Sequence, residues 1–462
     1  MRNRLQQLRR RGPYCRRKGT ILVVTAIVLI PLVGLMGLVI DAGQLMTAHR
    51  TVQNAADAGA TAAAMDMLSG RSNSVATSSA TSFVQQYNGL SAATVTVHIP
   101  PASGPHAGNS QYVEVLVSNS VPTRFIQVLG VGSSQMVTAR SVAGEEGTAV
   151  AAGVIALDRN ARPGVNLTGN GSLVVNGTVL VNSEGGGLNE SGQPINNGGS
   201  GNAITTSGNG AIYARDVVSV GGVNNVSQIR NFDTSNPKSP LHTGATVMPD
   251  PYQFLPSPTT ANGAVATNYG AVTLSGNANV TLSPGVYTSI RTSSNVDVYL
   301  NPGIYIIAGG GVTMTGNSTL SGHNVMLYNT GSDYNVNTGL PDSGDGTSAP
   351  PASGNPTFGA ISITGNALLN LTSYSNSSSP FDGMVIYQRR LNTQAMKVAG
   401  NGSSDVLNGT VYAKWAALDL SGNGTFNSQF VVQKIALTGN GTLRLDITGQ
   451  RMALSHQVFL VE

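Results

Sequence analysis

Five aspartates in the second half of the chain are the residues whose type best suits catalysis: Asp297, Asp382, Asp405, Asp419 and Asp446. Cleavage of a glycosidic bond needs two carboxylates about 5–10 Å apart. No two of these five share an obvious offset within the repeating unit described below. Acidic side chains without such spacing are typical of a solvated face. We therefore predict that none of the five is catalytic.

Two other patterns that could indicate chemistry are incomplete. The six histidines are scattered, without the spacing of a metal site. The glycine runs at 185–187 and 309–311 lack the lysine and the strand–loop–helix context of a phosphate-binding loop. We therefore predict that the protein binds no metal and no cofactor and is not an enzyme.

The charge distribution argues against nucleic acid as a partner. The chain has 25 basic and 21 acidic residues, and eight of the basic ones lie in residues 1–19. The remainder is therefore slightly acidic, unlike a nucleic-acid-binding surface. The only cysteine, Cys15, also lies in the basic segment, so no disulfide is expected elsewhere.

Residues 20–40 form an uncharged, apolar run of 21 residues. A helix of about 20 apolar residues spans a bilayer, and basic flanks stay on the cytoplasmic side. We predict a cytoplasmic tail at 1–19, a transmembrane helix at 20–40 and an extracytoplasmic remainder. A cleaved signal peptide is the alternative, although its apolar region is usually only about 7–15 residues long.

The sequence after Asp41 continues as a strong helix former and is rich in alanine up to Leu68. Small residues recur along one face and would let another backbone approach closely. We predict one helix that leaves the membrane and contacts partner helices. The candidate packing residues are Gly34, Gly37, Ala55, Gly59 and Ala63.

The N-terminal third contains a set of short motifs. They are the start at Arg16–Gly19, Pro31 and Gly37, the Asp41-x-Gly43 exit and the run QNAADA at 53–58. The segment VPTRFIQVLG at 121–130 and the closing ARSVAG at 139–144 extend the set. In these motifs the chain resembles Flp (tight-adherence) pilus assembly TadG-like proteins.

This resemblance implies a pilin-like α+β domain at 41–144, inner-membrane lipid as surroundings and other pilus-assembly membrane proteins as partners. A helix at 75–87 and strands at 93–99 and 112–118 fit that domain. Type IV prepilins carry a glutamate five residues after the cleaved glycine, whereas Val24 follows Gly19 at that distance here. This difference argues against prepilin processing.

A second pattern begins after a linker at 145–150. The tripeptide Ser/Thr/Ala-Gly-Asn recurs at 168–170, 207–209, 275–277, 315–317, 364–366, 399–401, 421–423 and 438–440. A period near 20 residues is typical of a solenoid, whose units bury their apolar faces against one another. We predict a parallel β-helix or related β-solenoid at 151–462, with asparagines stacked in a ladder at equivalent corners.

Other segments of this region do not follow the repeat. Residues 182–201 and 330–357 predict long surface loops, and 231–268 predicts a loop excursion. Residues 452–462 alternate apolar side chains and are interpreted as a cap on the solenoid.

The function that these patterns favour is a non-enzymatic, membrane-anchored component of a tight-adherence pilus assembly or secretion system. Two alternatives stay open. A cell-surface adhesin or ice-binding-like solenoid would show a regular Thr/Ser ladder on a flat face, and a carbohydrate-active β-helix enzyme would bring two acids together in a groove.

Overall fold

A computed structural model describes residues 20–69, 71–195, 199–341, 358–400, 406–422 and 424–461. The chain divides into two compact units, with boundaries at 145/146 and 457/458. The first unit therefore contains the N-terminal part together with the last few residues, and the second unit contains the rest.

The first unit is organised by one long helix. Helix α1 (Thr20–Leu68) has 49 residues and continues through Pro31 without interruption. It confirms the prediction of a single helix that extends well beyond the apolar run. Helix α2 (Asn73–Ser82) follows and leads into one π-helical turn (Phe83–Tyr87), as predicted for residues 75–87.

Three strands follow the helices: β1 (Thr94–His98), β2 (Tyr112–Pro122) and β3 (Ser134–Ala149). They form antiparallel pairs β1–β2 and β2–β3. A 3₁₀ turn (Ile126–Leu129) joins β2 to β3 and ends at Gly130, which has φ 78°. A residue without Cβ adopts this left-handed conformation most readily, so glycine suits the end of the turn.

The core between α1, α2 and this sheet consists almost entirely of alanine and valine. It contains Ala55, Ala56, Ala60 and Ala63 of α1 and Val113, Val115 and Val117 of β2, all fully buried. Small side chains on α1 allow α2 and the sheet to pack close to its backbone, because little volume separates the elements.

The second unit consists mainly of short strands. They are β4 (Ala152–Ala156), β5 (Val165–Thr168), β6 (Ser172–Val181), β7 (Gly185–Gly186), β8 (Gly199–Asn202), β9 (Ile204–Ser207), β10 (Ile212–Ser219), β11 (Ile229–Asn231), β12 (Leu241–His242), β13 (Asn268–Leu274), β14 (Asn279–Leu282), β15 (Gly285–Thr292), β16 (Asp297–Leu300), β17 (Gly303–Ala308), β18 (Val312–Met314), β19 (Thr319–Thr330), β20 (Ile361–Ile363), β21 (Leu368–Ser373), β22 (Met384–Gln388), β23 (Met396–Gly400), β24 (Val406–Gly422), β25 (Gly424–Thr438) and β26 (Thr442–Leu445). The last strand of the chain is β27 (Leu454–Leu460).

A parallel sheet of 21 strands contains β4–β6 and β9–β26. Its order does not follow the chain, because strands β25 and β26 pair in parallel with β4, β5 and β6. The chain thus enters the middle of the sheet at β4 and proceeds through β6 and β10 to β12 at one end. It continues at the other end with β13 and returns to β25, which pairs with β4. Apolar side chains such as Leu167, Ile290 and Leu418 alternate inward along the strands and form one continuous core.

The predicted asparagine ladder is present. Asn295 donates to Asn277, Asn317 donates to Asn295 and Asn366 donates to Asn317, each with Nδ2–Oδ1 of 3.0 Å. Glycine precedes three of these asparagines, and Ser294, which precedes Asn295, also has a positive φ of 68°. Gly316 and Gly365 lie above one another, because a Cβ on Gly365 would lie 3.2 Å from the backbone nitrogen of Gly316. Gly316 and Gly365 both have φ 76°, which explains why glycine recurs before asparagine at this corner.

Residues 243–267, here called the crossing segment, connect the two ends of the sheet. The segment runs across many strands, from Ala245, whose amide donates to Ser219, to Thr267, whose carbonyl accepts from Val286. Between these points Tyr252 and Leu255 are buried in a second apolar cluster of the unit. The predicted excursion at 231–268 is therefore confirmed as a break in the repeat, but its middle part packs on the sheet.

Three sequence interpretations need correction. Residues 145–149 belong to β3 and are not a linker. Strand β27 extends the sheet of the first unit, where the Val461 amide donates to Val142 at 2.9 Å, so residues 458–461 are not a cap on the parallel sheet. The expected loop at 182–201 includes the paired strands β7 and β8. Most of the other expected loop, residues 342–357, lies outside the described residues.

Candidate functional site

The end of the apolar run of α1 is held by a single carboxylate. Asp41 is 1% exposed, and its Oδ2 accepts the backbone amides of Phe125 and Ile126 at 2.7 Å each. The amide of Arg124 lies 3.2 Å from the same oxygen. These amides lie at the start of the 3₁₀ turn, where no intrahelical acceptor exists for them, so Asp41 caps that turn from another element.

This contact gives Asp41 a role that sequence reasoning missed. In the sequence, Asp41 marks the outer end of the apolar run, and the segment at 121–130 stands out only through the family resemblance. Charge-assisted hydrogen bonds from three amides stabilise an ionised carboxylate that is otherwise shielded from water. The acid at the end of an apolar run and the turn with unpaired amides were both readable signals, but a separation of 83 residues between Asp41 and Arg124 hid the connection.

Gly37, one turn earlier on α1, is covered by the side chain of Phe125. A Cβ at Gly37 would lie 2.5 Å from Cγ of the phenyl ring, so glycine is required for this close approach. The ring itself remains 42% exposed. The segment at 123–126 therefore contacts α1 twice, through its backbone at Asp41 and through a ring at Gly37.

The predicted packing stripe of α1 is used largely within the chain. Ala55 and Ala63 are fully buried in the core of the first unit. A Cβ at Gly59 would meet Val84 Cγ2 at 3.0 Å and the Ala80 carbonyl oxygen at 3.2 Å. Of the five candidates, Gly34 is the one at which an added Cβ would meet no described atom within 4 Å. Contact between α1 and a helix of a partner protein therefore stays a prediction, and Gly34 is the residue at which we expect it.

A buried carboxylate also organises the sheet of the first unit. Glu114 is 1% exposed and accepts from Arg140 Nε at 2.6 Å, from Ser103 Oγ at 2.9 Å and from the Ala102 amide at 3.1 Å. His98 Nδ1 lies 2.8 Å from Oε2 of Glu114. Burial raises the pKa of Glu114, but the bonds from Arg140 and its neighbours outweigh burial and lower it to about 2.

Polar groups under the crossing segment hold it to the sheet. Arg390 is 2% exposed, and it donates from Nε to the Tyr412 hydroxyl at 2.8 Å and from Nη2 to the Leu255 carbonyl at 3.1 Å. Tyr412 donates to Asp250 at 2.7 Å. Burial raises the pKa of Tyr412 well above its ordinary value, so the hydroxyl stays protonated and acts as a donor. This arrangement positions the crossing segment on the sheet.

Two of the candidate acids of the second unit accept hydrogen bonds from neighbouring residues. Asp382 accepts from Arg451 at 2.7 Å, and Asp446 accepts from the Thr448 amide and from Asn176, each at 3.0 Å. These hydrogen bonds, that of Thr448 first, lower the pKa of Asp446.

The remaining acids lie on strands or outside the described residues. Asp419 stands opposite Lys397 in the register of β23 and β24, and Asp297 stands opposite Asn279 and Thr319. Asp405 lies outside the described residues. Among the residues that the structure covers, no group of three or more His, Cys, Asp or Glu side chains could hold a metal ion.

The column of side chains through Thr273 is not a regular Thr/Ser ladder. Its successive positions are Thr273, Arg291, Thr313, Ser362, Lys397, Asp419, Ala436, Asn166 and Thr205. The mixture of charged, apolar and polar residues lacks the uniformity that would favour an ice-binding face. The adhesin and carbohydrate-enzyme alternatives otherwise stay predictions.

Two coarse features of the structure bear on the kind of protein that this chain is. One helix near the N-terminus is long and apolar enough to cross a membrane, and this is consistent with single-pass anchoring. The rest is mainly β, with a large parallel sheet.

A comparison with protein families finds a similarity in the N-terminal segment. Residues 19–66 match the family described as putative Flp pilus-assembly TadE/G-like, which confirms the resemblance of this segment. The match suggests a membrane protein related to Flp pilus assembly, rather than an enzyme. No match was found among curated proteins or among solved structures.

Proposed function

We propose that the chain is a non-enzymatic component of a bacterial tight-adherence pilus assembly or secretion system. It is anchored by residues 20–40 in the inner membrane, with residues 1–19 in the cytoplasm and the rest outside. It acts by contact, through helix packing in the membrane and through the surface of its second unit.

The observation that carries this proposal is a difference between two parts of α1. Its first part is apolar and exposed, and its second part is buried in the protein core. Side chains from Val23 to Ile40 such as Ile27, Leu35 and Val39 are 63–69% exposed. Apolar surface of this extent is stable in lipid and unfavourable in water. Beyond Asp41 the same helix becomes part of a protein core. The TadE/G-like match at 19–66 spans both parts.

The second unit is proposed to be a parallel β-solenoid over residues 151–457. Parallel pairing throughout the described register of the large sheet, the asparagine ladder and the stacking of Gly316 and Gly365 at one corner all support repeated coils of one chain. Such a unit is rigid and offers a long polar surface to a partner.

The proposed partners within the membrane are other pilus-assembly membrane proteins. Gly34 presents bare backbone on an apolar helix, and small residues of this kind let transmembrane helices approach closely. The slightly acidic exported part has no requirement for nucleic acid or for a cofactor in this role.

Deletion of residues 20–40 tests the anchor. The shortened chain is expected in the soluble fraction after an alkaline wash, whereas the full chain stays in the membrane pellet. A matched control replaces every residue from 20 to 40 except Gly37 with leucine: it is expected to stay in the membrane but to lose co-purification with other pilus-assembly membrane proteins. A deleted chain that still sediments with membranes would contradict the proposal, and a leucine variant that keeps its partners would contradict the helix-packing role.

A further inference from the structure

The loop between β2 and β3 and the first residues of β3 carry apolar side chains on their surface beside α1. Phe125 is 42% exposed, Val131 is 36% exposed and Met136 is 62% exposed. On the helix next to them Met46 is 71% exposed. Soluble domains seldom leave several large apolar side chains exposed together, and such a patch indicates a binding surface.

The position of this loop along α1 identifies what covers it. The ring of Phe125 lies on Gly37, which is inside the apolar run that ends at Ile40. Asp41 binds the backbone of Phe125 and fixes this level. A helix rises about 1.5 Å per residue, so the ring reaches roughly one turn below the end of the run. Whatever surrounds residues 20–40 therefore also surrounds Phe125.

The charge of the loop matches the same surroundings. Residues 123–136 contain one arginine, Arg124, and no acidic residue. Arg124 is exposed next to Phe125. Phospholipid headgroups attract basic side chains, and aromatic and apolar side chains are stable at the boundary between headgroups and acyl chains.

A groove of about 540 Å³ lies between α1 and the loop. Its lining includes Leu45, Met46, Ile126 and Met136. These residues begin about one turn beyond Asp41, at the depth of the headgroup layer if the bilayer core ends near Ile40. The groove continues the apolar surface of Phe125 outward.

We propose that residues 123–136 lie in the outer interfacial layer of the membrane, with the Phe125 ring among acyl chains and Arg124 at the phosphates. The first unit is then seated on the lipid surface by a second element besides its helix. This inference rests on the proposed anchor at residues 20–40. The occupant of the surface is phospholipid.

Tryptophan fluorescence in reconstituted vesicles tests the proposal. The full chain carries Trp415→Phe to remove the native tryptophan, and a single tryptophan is placed at Phe125, at Val131, at Leu35 or at Tyr87. Leu35 is exposed on the apolar run, and Tyr87 is 74% exposed on the turn packed near Gly59, about 28 Å beyond Ile40 along the helix. Vesicles of phosphatidylethanolamine and phosphatidylglycerol contain lipids brominated near the top of the acyl chains.

The expected result is strong quenching at positions 125 and 131, as at 35, and none at 87. Quenching at 35 with none at 125 and 131 would overturn the loop proposal while leaving the anchor in place. Absence of quenching at all four positions would overturn the anchor as well. The Val131→Trp variant keeps the test valid if substitution of Phe125 disturbs the contact with Gly37, and circular dichroism checks that each variant is folded.

Discussion

Asp41 and Phe125 are joined by a hydrogen bond of 2.7 Å between the carboxylate of one and the backbone amide of the other. The ring of Phe125 at the same time covers Gly37, one turn earlier on α1. A single loop residue thus contacts two positions of the helix where its apolar run ends. This contact fixes the first unit at a defined level of the helix.

Replacement of Asp41 by alanine is expected to release the loop. The amides of Phe125 and Ile126 lose their acceptor, so the segment opens more often and becomes accessible to protease. Trypsin cleavage after Arg124 should accelerate about tenfold or more, measured by the appearance of a fragment that begins at Phe125. Asp66→Ala is the control, because Asp66 pairs with Arg71 near the far end of the same helix. Equal cleavage rates in the two variants would contradict the capping role.

Two glycines of α1 are expected to respond differently to the same change. Gly59→Leu forces a large side chain against Val84 and the Ala80 carbonyl, and overpacking of this kind costs roughly 2–3 kcal/mol. Hydrogen exchange of peptides in the first unit should therefore become faster. Gly34→Leu has free space and should leave this exchange unchanged while weakening association with partner helices. Similar destabilisation by both changes would show that the assignment of the two faces is wrong.

The buried carboxylate of Glu114 predicts acid sensitivity of the first unit. Its pKa in the folded state is about 2, below the ordinary value of 4.5, so its ionised form stabilises the fold above about pH 4.5. This stabilisation is lost as the pH falls from 4.5 through 2. We expect about 2 kcal/mol, less than the full shift implies, since His98 and Arg140 are partly in contact with water.

The Glu114→Gln variant checks that prediction by chemical unfolding at several pH values. It should be less stable than the parent at pH 7 and should approach the parent only as the pH falls to about 2, because the carboxylate of the folded parent is protonated there. Glu145→Gln is the control, since this carboxylate accepts a longer bond of 3.4 Å from Gln111. A constant difference between parent and Glu114→Gln from pH 7 to pH 2 would be evidence against the linkage.

The asparagine ladder is expected to stabilise the second unit. Asn295→Ala removes one bond to Asn277 and one from Asn317, and should lower the free energy of unfolding by about 1 kcal/mol. Asn279→Ala on β14 is the matched control, because Asn279 is exposed on the same part of the sheet and outside the ladder. Thermal unfolding followed by Trp415 fluorescence reports on this unit. Equal melting temperatures for Asn295→Ala and its control would mean that the ladder contributes nothing.

Local patterns of the sequence predicted much of this structure. The long helix, the strands of the first unit and the Gly-Asn corners follow from composition and periodicity over short windows. The ladder could be predicted because Ser/Thr/Ala-Gly-Asn recurs at near-regular spacing, and identical corners of neighbouring strands come together in a parallel sheet.

Contacts between distant segments could not be predicted in the same way. The pairing of β25 with β4 and the return of β27 to the first unit depend on where the chain re-enters, which no local pattern encodes. Val458 packs against the first unit although its alternating pattern equally suits the large sheet. The stripe at Ala55, Gly59 and Ala63 predicted close packing, but not that the partners would be α2 and β2 of the same chain.

The measurement that tests the central claim most directly is the sidedness of two thiols in intact cells. Two proteins are compared, each with a single thiol. The parent chain carries Cys15, its one native cysteine, and the variant carries Tyr87→Cys on an exposed site of the first unit together with Cys15→Ser. A membrane-impermeant maleimide applied to spheroplasts should label the thiol introduced at position 87 and leave Cys15 of the parent chain unlabelled until the membrane is opened. Labelling of Cys15 in intact spheroplasts, or protection of the thiol at position 87, would contradict an anchor at residues 20–40 with the bulk of the chain outside.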